Sequence, residues 1–195
     1  MSNYQFTNDW FEKQKPIVER VMSGLNSRNP LRILEIGAHE GRSTVFYIDN
    51  YLHHPESRII SIDPFDLSDP GSPVTSETRG RCEWNVRNSK FPSKHSFVYN
   101  YSIQALPALI CAGERFDYVV IDGSHLSEDV LTDACLSFHL VKTNGILLFD
   151  DYLGGEDPDL NPIFPKLGID AFLSAFRNRI EIVYMGYHVV VRRLA

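Results

Sequence analysis

The chain has 195 residues, 43% of them hydrophobic and 12% aromatic, which suits one domain with a substantial core and excludes a disordered chain. Its 19 basic and 25 acidic residues give a net charge of −6, so no basic face for a nucleic-acid backbone is expected. Three widely spaced cysteines, Cys82, Cys111 and Cys135, form no C-x-x-C pair, which excludes a zinc ribbon or disulfide framework and suits reduced thiols in a cytoplasmic protein.

The N-terminus, MSNYQFTNDW, lacks the basic-then-apolar layout of a signal peptide, and no apolar run reaches membrane-spanning length. Trp10, Phe11, Ile17, Val18, Val21, Met22 and Leu25 recur at helical spacing and predict an amphipathic helix over 8–26. Residues 1–28 therefore read as an N-terminal helical segment ahead of a single domain, 29–195. Within that domain LRILEIG predicts a strand, Ser43–Leu52 a helix and RIISID a second strand. A long Pro/Gly-rich loop, Pro64–Gly80, precedes a short helix near Cys82–Asn88. The strand SFVYN, a helix over Ile103–Cys111, the strand FDYVVID, the helix EDVLTDACLSFHLV and the strand GILLFDD follow. A second loop, Tyr152–Gly168, leads to a helix carrying Phe172, Leu173 and Phe176. The strands IEIVYM and HVVVRR close the chain, with Gly186-Tyr187 between them suiting a type II′ hairpin. The alternation predicts an α/β fold: a doubly wound, mostly parallel seven-stranded sheet closed by an antiparallel C-terminal hairpin.

Polar residues gather where strands end, the side on which such sheets bind ligands. The first turn reads Glu35-Ile36-Gly37-Ala38-His39-Glu40-Gly41-Arg42-Ser43. Its glycines let backbone approach a ligand, and Ser43 is placed to cap the next helix. A dinucleotide fingerprint requires glycine where His39 stands, which disfavours NAD or FAD. Asp63 ends the second strand about 20 residues further on, where an acidic residue accepts ribose hydroxyls. Asp122, Asp150 and Asp151 end two more strands. Three close carboxylates repel unless protonated or bound to a cation, and all-oxygen ligands suit Mg²⁺, Mn²⁺ or Ca²⁺. His125 stands three residues past Asp122, where a neutral imidazole serves as general base. The other histidines considered, His53, His54, His95, His139 and His188, lack such company and read as structural. Without a G-x-S-x-G elbow, Ser124 beside His125 gives no support to a hydrolase.

Together LEIGAHEGRST, IISIDPFD, FDYVVIDGSHLSEDVLTDA and GILLFDDY resemble class I S-adenosylmethionine-dependent methyltransferases, over roughly residues 31–152. The glycine turn is similar to that of catechol O-methyltransferases. D-G-S-H and F-D-D are similar to the macrocin/mycinamicin-type sugar O-methyltransferases. The resemblance implies that the turn (Glu35, Gly37, Ala38, His39, Gly41, Ser43) faces the methionine end of S-adenosylmethionine, that Asp63 binds ribose and that Tyr101 and Ser102 lie at adenine. It also implies Asp122, Asp150 and Asp151 as metal ligands, with Asp122 bordering the cofactor, and His125 as catalytic base beside Asp122. A small hydroxylated acceptor, sugar- or catechol-like, is then the substrate, with neither nucleic acid nor membrane as partner. The N-terminal helix is expected either to cover the acceptor pocket or to form a homo-oligomer contact, and the two long loops to act as lids. Two alternatives stay open: a metal-independent methyltransferase, and a non-catalytic cofactor-binding protein on the same fold.

Overall fold

The computed structural model describes residues 4–25, 30–66, 74–154 and 165–194. Much of both expected lid loops lies outside these residues. A seven-stranded sheet runs β3-β2-β1-β4-β5-β7-β6, built from β1 (Arg32–Ile36), β2 (Arg58–Ile62), β3 (His95–Val98), β4 (Phe116–Ile121), β5 (Val141–Phe149), β6 (Ile180–Met185) and β7 (Val189–Arg193). The first five strands pair in parallel, and β7 inserts antiparallel between β5 and β6. The chain is thus a Rossmann-like, doubly wound sheet, and its order reverses between β1 and β4, the switch point at which such sheets open a ligand crevice.

The strands alternate between two cores, as a period of two requires. Leu34, Ile36, Val119, Ile121, Leu147, Phe149, Val189 and Val191 face the side covered by α4 (Ser102–Cys111), α5 (Ser127–Leu140) and α6 (Pro165–Phe176). Ile33, Tyr118, Val120, Ile146, Leu148 and Val190 face α1 (Phe11–Leu25) and α2 (Arg42–Tyr51). α3 (Thr78–Arg87) lies beside the first turn, with Cys82 buried against Ala38 and Phe65. Every residue of β4 is buried, Asp117 included. Its carboxylate is tolerated there because Lys142 Nζ donates to it at 2.9 and 3.0 Å and the Arg32 N–H at 2.9 Å.

The closing hairpin differs from the expected two-residue turn. Met185 pairs with Val189, so three residues, 186–188, form the loop, and Gly186 is not at positive φ. A Cβ at Gly186 would meet the Tyr184 hydroxyl, the far end of a side chain rather than backbone.

Candidate active site

Strand register creates the site. The last registered partners are Ile36↔Ile62, Ile36↔Ile121, Ile121↔Phe149 and Phe149↔Val189. One step further along each strand come Asp63, Gly37, Asp122, Asp150 and His188, a row of five neighbours across the carboxyl rim of the parallel strands. The backbone keeps them in step: Gly37 N–H donates to Ile62 O at 2.9 Å, Asp122 N–H to Ile36 O at 2.9 Å and Asp150 N–H to Ile121 O at 3.1 Å.

The glycine turn is held from beneath. Glu35 is fully buried and accepts from Ser43 Oγ at 2.5 Å, Thr44 Oγ1 at 2.6 Å and Ser61 Oγ at 2.7 Å. Burial pushes its carboxyl up, against the pull of those three hydroxyls. Ser43 therefore does not cap α2 as expected; its hydroxyl turns inward to Glu35, and α2 starts without a side-chain cap. Because the Ser61 hydroxyl donates to Glu35, its oxygen accepts from His95 Nε2 at 3.0 Å. Burial holds the His95 imidazole down at about 4, so this ring is neutral.

The turn itself has positive φ at Gly37 (88°), His39 (47°) and Gly41 (75°). Asp63 Oδ2 accepts the N–H groups of Ala38 and His39, both at 2.9 Å, and Oδ1 accepts that of Phe65 at 2.8 Å. Asp63 thus links the second strand end to the turn. Ser102 opens α4, with its hydroxyl on the buried carboxyl of Asp133, while the Tyr101 hydroxyl donates to Asp66.

An N-terminal strap crosses the outside of the turn. Thr7 donates to Glu40 twice, from N–H at 2.7 Å and from Oγ1 at 2.8 Å, and Arg81 pairs with the same carboxylate at 3.1 Å. Asn85 brackets Gln5 through its N–H and C=O, and Trp10 packs on the His39 ring with centroids 5.3 Å apart. Thr7, His39, Glu40, Thr78 and Arg81 help line an open pocket of about 460 Å³ beside the turn. Glu40 carries no readable sign in the sequence, since an acid inside a turn is ordinarily solvated.

At the other end of the row, Asp122, His125 and Asp151 each offer a ligand atom, all within 4.8 Å of one another. Burial first, then the neighbouring charges of Asp150 and Asp151, pushes the Asp122 carboxyl well above the usual range. Asp151 is held below it: burial opposes this, but hydrogen bonds from His125 Nε2 (2.8 Å) and the Tyr187 hydroxyl (2.7 Å) prevail. The hydrogen bond to Asp151 raises the His125 imidazole in turn. Asp150 lies beside Asp122 but also meets His188 Nδ1, so His188 has the company that its place in the sequence did not reveal. The signal was the antiparallel register Phe149↔Val189, which a sequence does not display.

A crevice at a β1/β4 switch point, a glycine turn locked to the second strand and an acidic rim on a 3-2-1-4-5-7-6 sheet define a class I methyltransferase. A family model described as a methyltransferase domain matches residues 34–152, and the chain belongs to that family. A protein described as uncharacterized, from Acanthamoeba polyphaga mimivirus, is 27% identical over 144 residues, covering 73% of this chain and 62% of the relative. Among solved structures, the O-methyltransferase from Bacillus cereus in complex with SAH superposes with a TM-score of 0.71 at 14% identity, over 97% of this chain and 84% of that one. TomG from Streptomyces achromogenes, an O-methyltransferase of tomaymycin synthesis in complex with SAM, gives 0.71 at 18% identity, over 92% and 80%. The mycinamycin-pathway methyltransferase MycE, in complex with Mg, SAH and mycinamycin VI, gives 0.64 at 16% identity, over 97% of this chain and 50% of that one. Among the described residues no helix is long and apolar enough to cross a membrane.

Proposed function

We propose that the protein is an S-adenosylmethionine-dependent O-methyltransferase acting on a small acceptor with adjacent hydroxyls, assisted by a divalent cation, with His125 as general base. The observation that carries this reading is the convergence of Asp122, His125 and Asp151 within 4.8 Å at the rim of the switch-point crevice. Neighbours that bind SAM, SAH or Mg support it by likeness of fold.

The residues fit both groups. Gly37 offers backbone with no side chain toward the crevice, and among the described residues Asp63 Oδ1 accepts one N–H, which leaves that oxygen a lone pair for a ribose hydroxyl. Glu35, Ala38, His39, Gly41 and Ser43 shape the turn for the methionine end, and Tyr101 and Ser102 flank the adenine side. Asp122 and Asp151, with Asp150 beside them, concentrate negative charge whose mutual repulsion a hard cation relieves. When bound, such a cation lowers the pKa of an acceptor hydroxyl and fixes its direction.

The remaining chemistry belongs to the chain. His125 turns Nε2 to Asp151, so that nitrogen carries the hydrogen and Nδ1 is left to take the acceptor's proton. Asp151 keeps the ring oriented and stabilises the imidazolium that results. A second reading rests on the same pair: Asp151 orients His125 with no cation at all, which suits a metal-independent methyltransferase.

Calorimetry with S-adenosylmethionine, followed by a methyl-transfer screen over catechol, sugar and polyol acceptors with and without Mg²⁺, tests the proposal. Asp63→Ala should weaken cofactor binding strongly. His125→Ala should lower turnover by about 10²–10⁴-fold while sparing cofactor binding. Full turnover in that variant removes the base, and full turnover after EDTA and gel filtration favours the metal-independent reading.

A further inference from the structure

The loop between β6 and β7 reaches the rim with two consecutive side chains. Tyr187 donates its hydroxyl to Asp151 Oδ1 at 2.7 Å, and His188, buried, sets Nδ1 against Asp150 Oδ1. Both aspartates follow β5, yet each is met from the hairpin tip by a different one of these neighbours. The backbone joins the same two segments, since Leu153 N–H donates to Tyr187 O at 3.3 Å.

Asp151 is the residue that needs holding. Its φ of 53° lies in the left-handed region that a non-glycine residue occupies only when its surroundings over-determine it. The chain then doubles back: Gly154 N–H donates to Asp151 O at 2.9 Å, and a Cβ on Gly154 would stand 2.9 Å from Asp151 Cβ. The main chain is therefore fixed by this turn. The carboxylate is fixed by two donors, with Oδ2 on His125 and Oδ1 on Tyr187. Among the described residues, the carboxylate without the phenol keeps one side-chain hydrogen bond, to an exposed imidazole.

We propose that Tyr187 is a positioning clamp on Asp151, its hydroxyl fixing the carboxylate that orients His125 and faces the cation site. This assignment rests on the function proposed above, in which Asp151 serves both. Tyr187 acts through Asp151 and is a positioning residue. Hydrogen-bonding partners of metal-binding carboxylates are typically worth about 10–100-fold in metal affinity.

The test compares the wild-type chain with Tyr187→Phe, which removes only an oxygen from a ring already exposed to solvent. Mn²⁺ affinity is measured by electron paramagnetic resonance, thermal stability and S-adenosylmethionine affinity serve as controls, and crystal structures of both proteins locate Asp151. The clamp predicts Mn²⁺ binding about 10–100-fold weaker, with both controls unchanged. Affinity within threefold of wild type overturns it. If the wild type binds no Mn²⁺, the metal part of the proposed function falls, and the clamp is decided by Asp151 alone. Its carboxylate turned away from His125 in Tyr187→Phe then supports the clamp, and an unmoved carboxylate overturns it.

Discussion

Gly37 lies so close to Asp122 that a Cβ on it would stand 1.9 Å from the Asp122 carbonyl oxygen and 2.6 Å from the carbonyl carbon. Both contacts are to backbone, which cannot swing aside as a side chain does. The close approach of the first and fourth strand ends, and hence the switch-point crevice, depends on a residue with no side chain. Positive φ at the same position adds a second requirement for glycine.

Gly37→Ala is therefore expected to destabilise the fold by about 2–4 kcal/mol, combining overpacking with the left-handed backbone. It should also weaken S-adenosylmethionine binding by separating β1 from β4. Urea unfolding and calorimetry measure the two effects; a variant as stable as wild type would contradict the close approach.

The Glu40 carboxylate is buried beneath the N-terminal strap, and although burial opposes it, the two donors of Thr7 lead the hydrogen bonds and charges that hold it below the ordinary value. Thr7→Ala removes one charge-assisted hydrogen bond and is expected to cost about 1–2 kcal/mol at neutral pH. Because the folded-state pKa is depressed, this stabilisation is present above the unfolded value of 4.5 and fades as pH falls through the folded one. The gap between wild type and variant in urea titrations should accordingly narrow as pH falls below 4.5.

His95 has the opposite kind of linkage. Its folded-state value of about 4 lies below the ordinary 6.5, so the native chain binds fewer protons than the unfolded chain in between. Stability from this group rises with pH across that window and is level above it. His95→Gln keeps a nitrogen donor for Ser61 but does not titrate. The wild-type unfolding free energy, referenced to the variant, should increase by about 2–3 kcal/mol from pH 4 to pH 7.

The sheet and its acidic rim were legible because each rests on local patterning. Apolar runs that stop at Asp63, Asp122 and Asp150 announce strands whose carboxyl ends share one edge. The alternation of strand and helix gives the winding. What stayed hidden depends on partners remote in the chain. Ser43 carries the residue type of a helix cap, yet the buried acceptor Glu35 takes its hydroxyl inward. His188 has apolar neighbours and no motif; only pairing of Phe149 with Val189 sets it against Asp150. Thr7 and Glu40 meet because the N-terminal strap crosses the turn, a tertiary event with no periodicity to betray it.

The rim row draws on Gly37, Asp63, Asp122, Asp150 and His188, and its final member enters only when β7 slots between β5 and β6. Synthesis thus delivers four of the five while the sheet still ends at β5. In chain order the glycine turn and the acidic edge come before the hairpin tip that braces them. Completion of the site therefore waits for the hairpin tip, so a chain interrupted before Tyr187 is left with an unbraced edge.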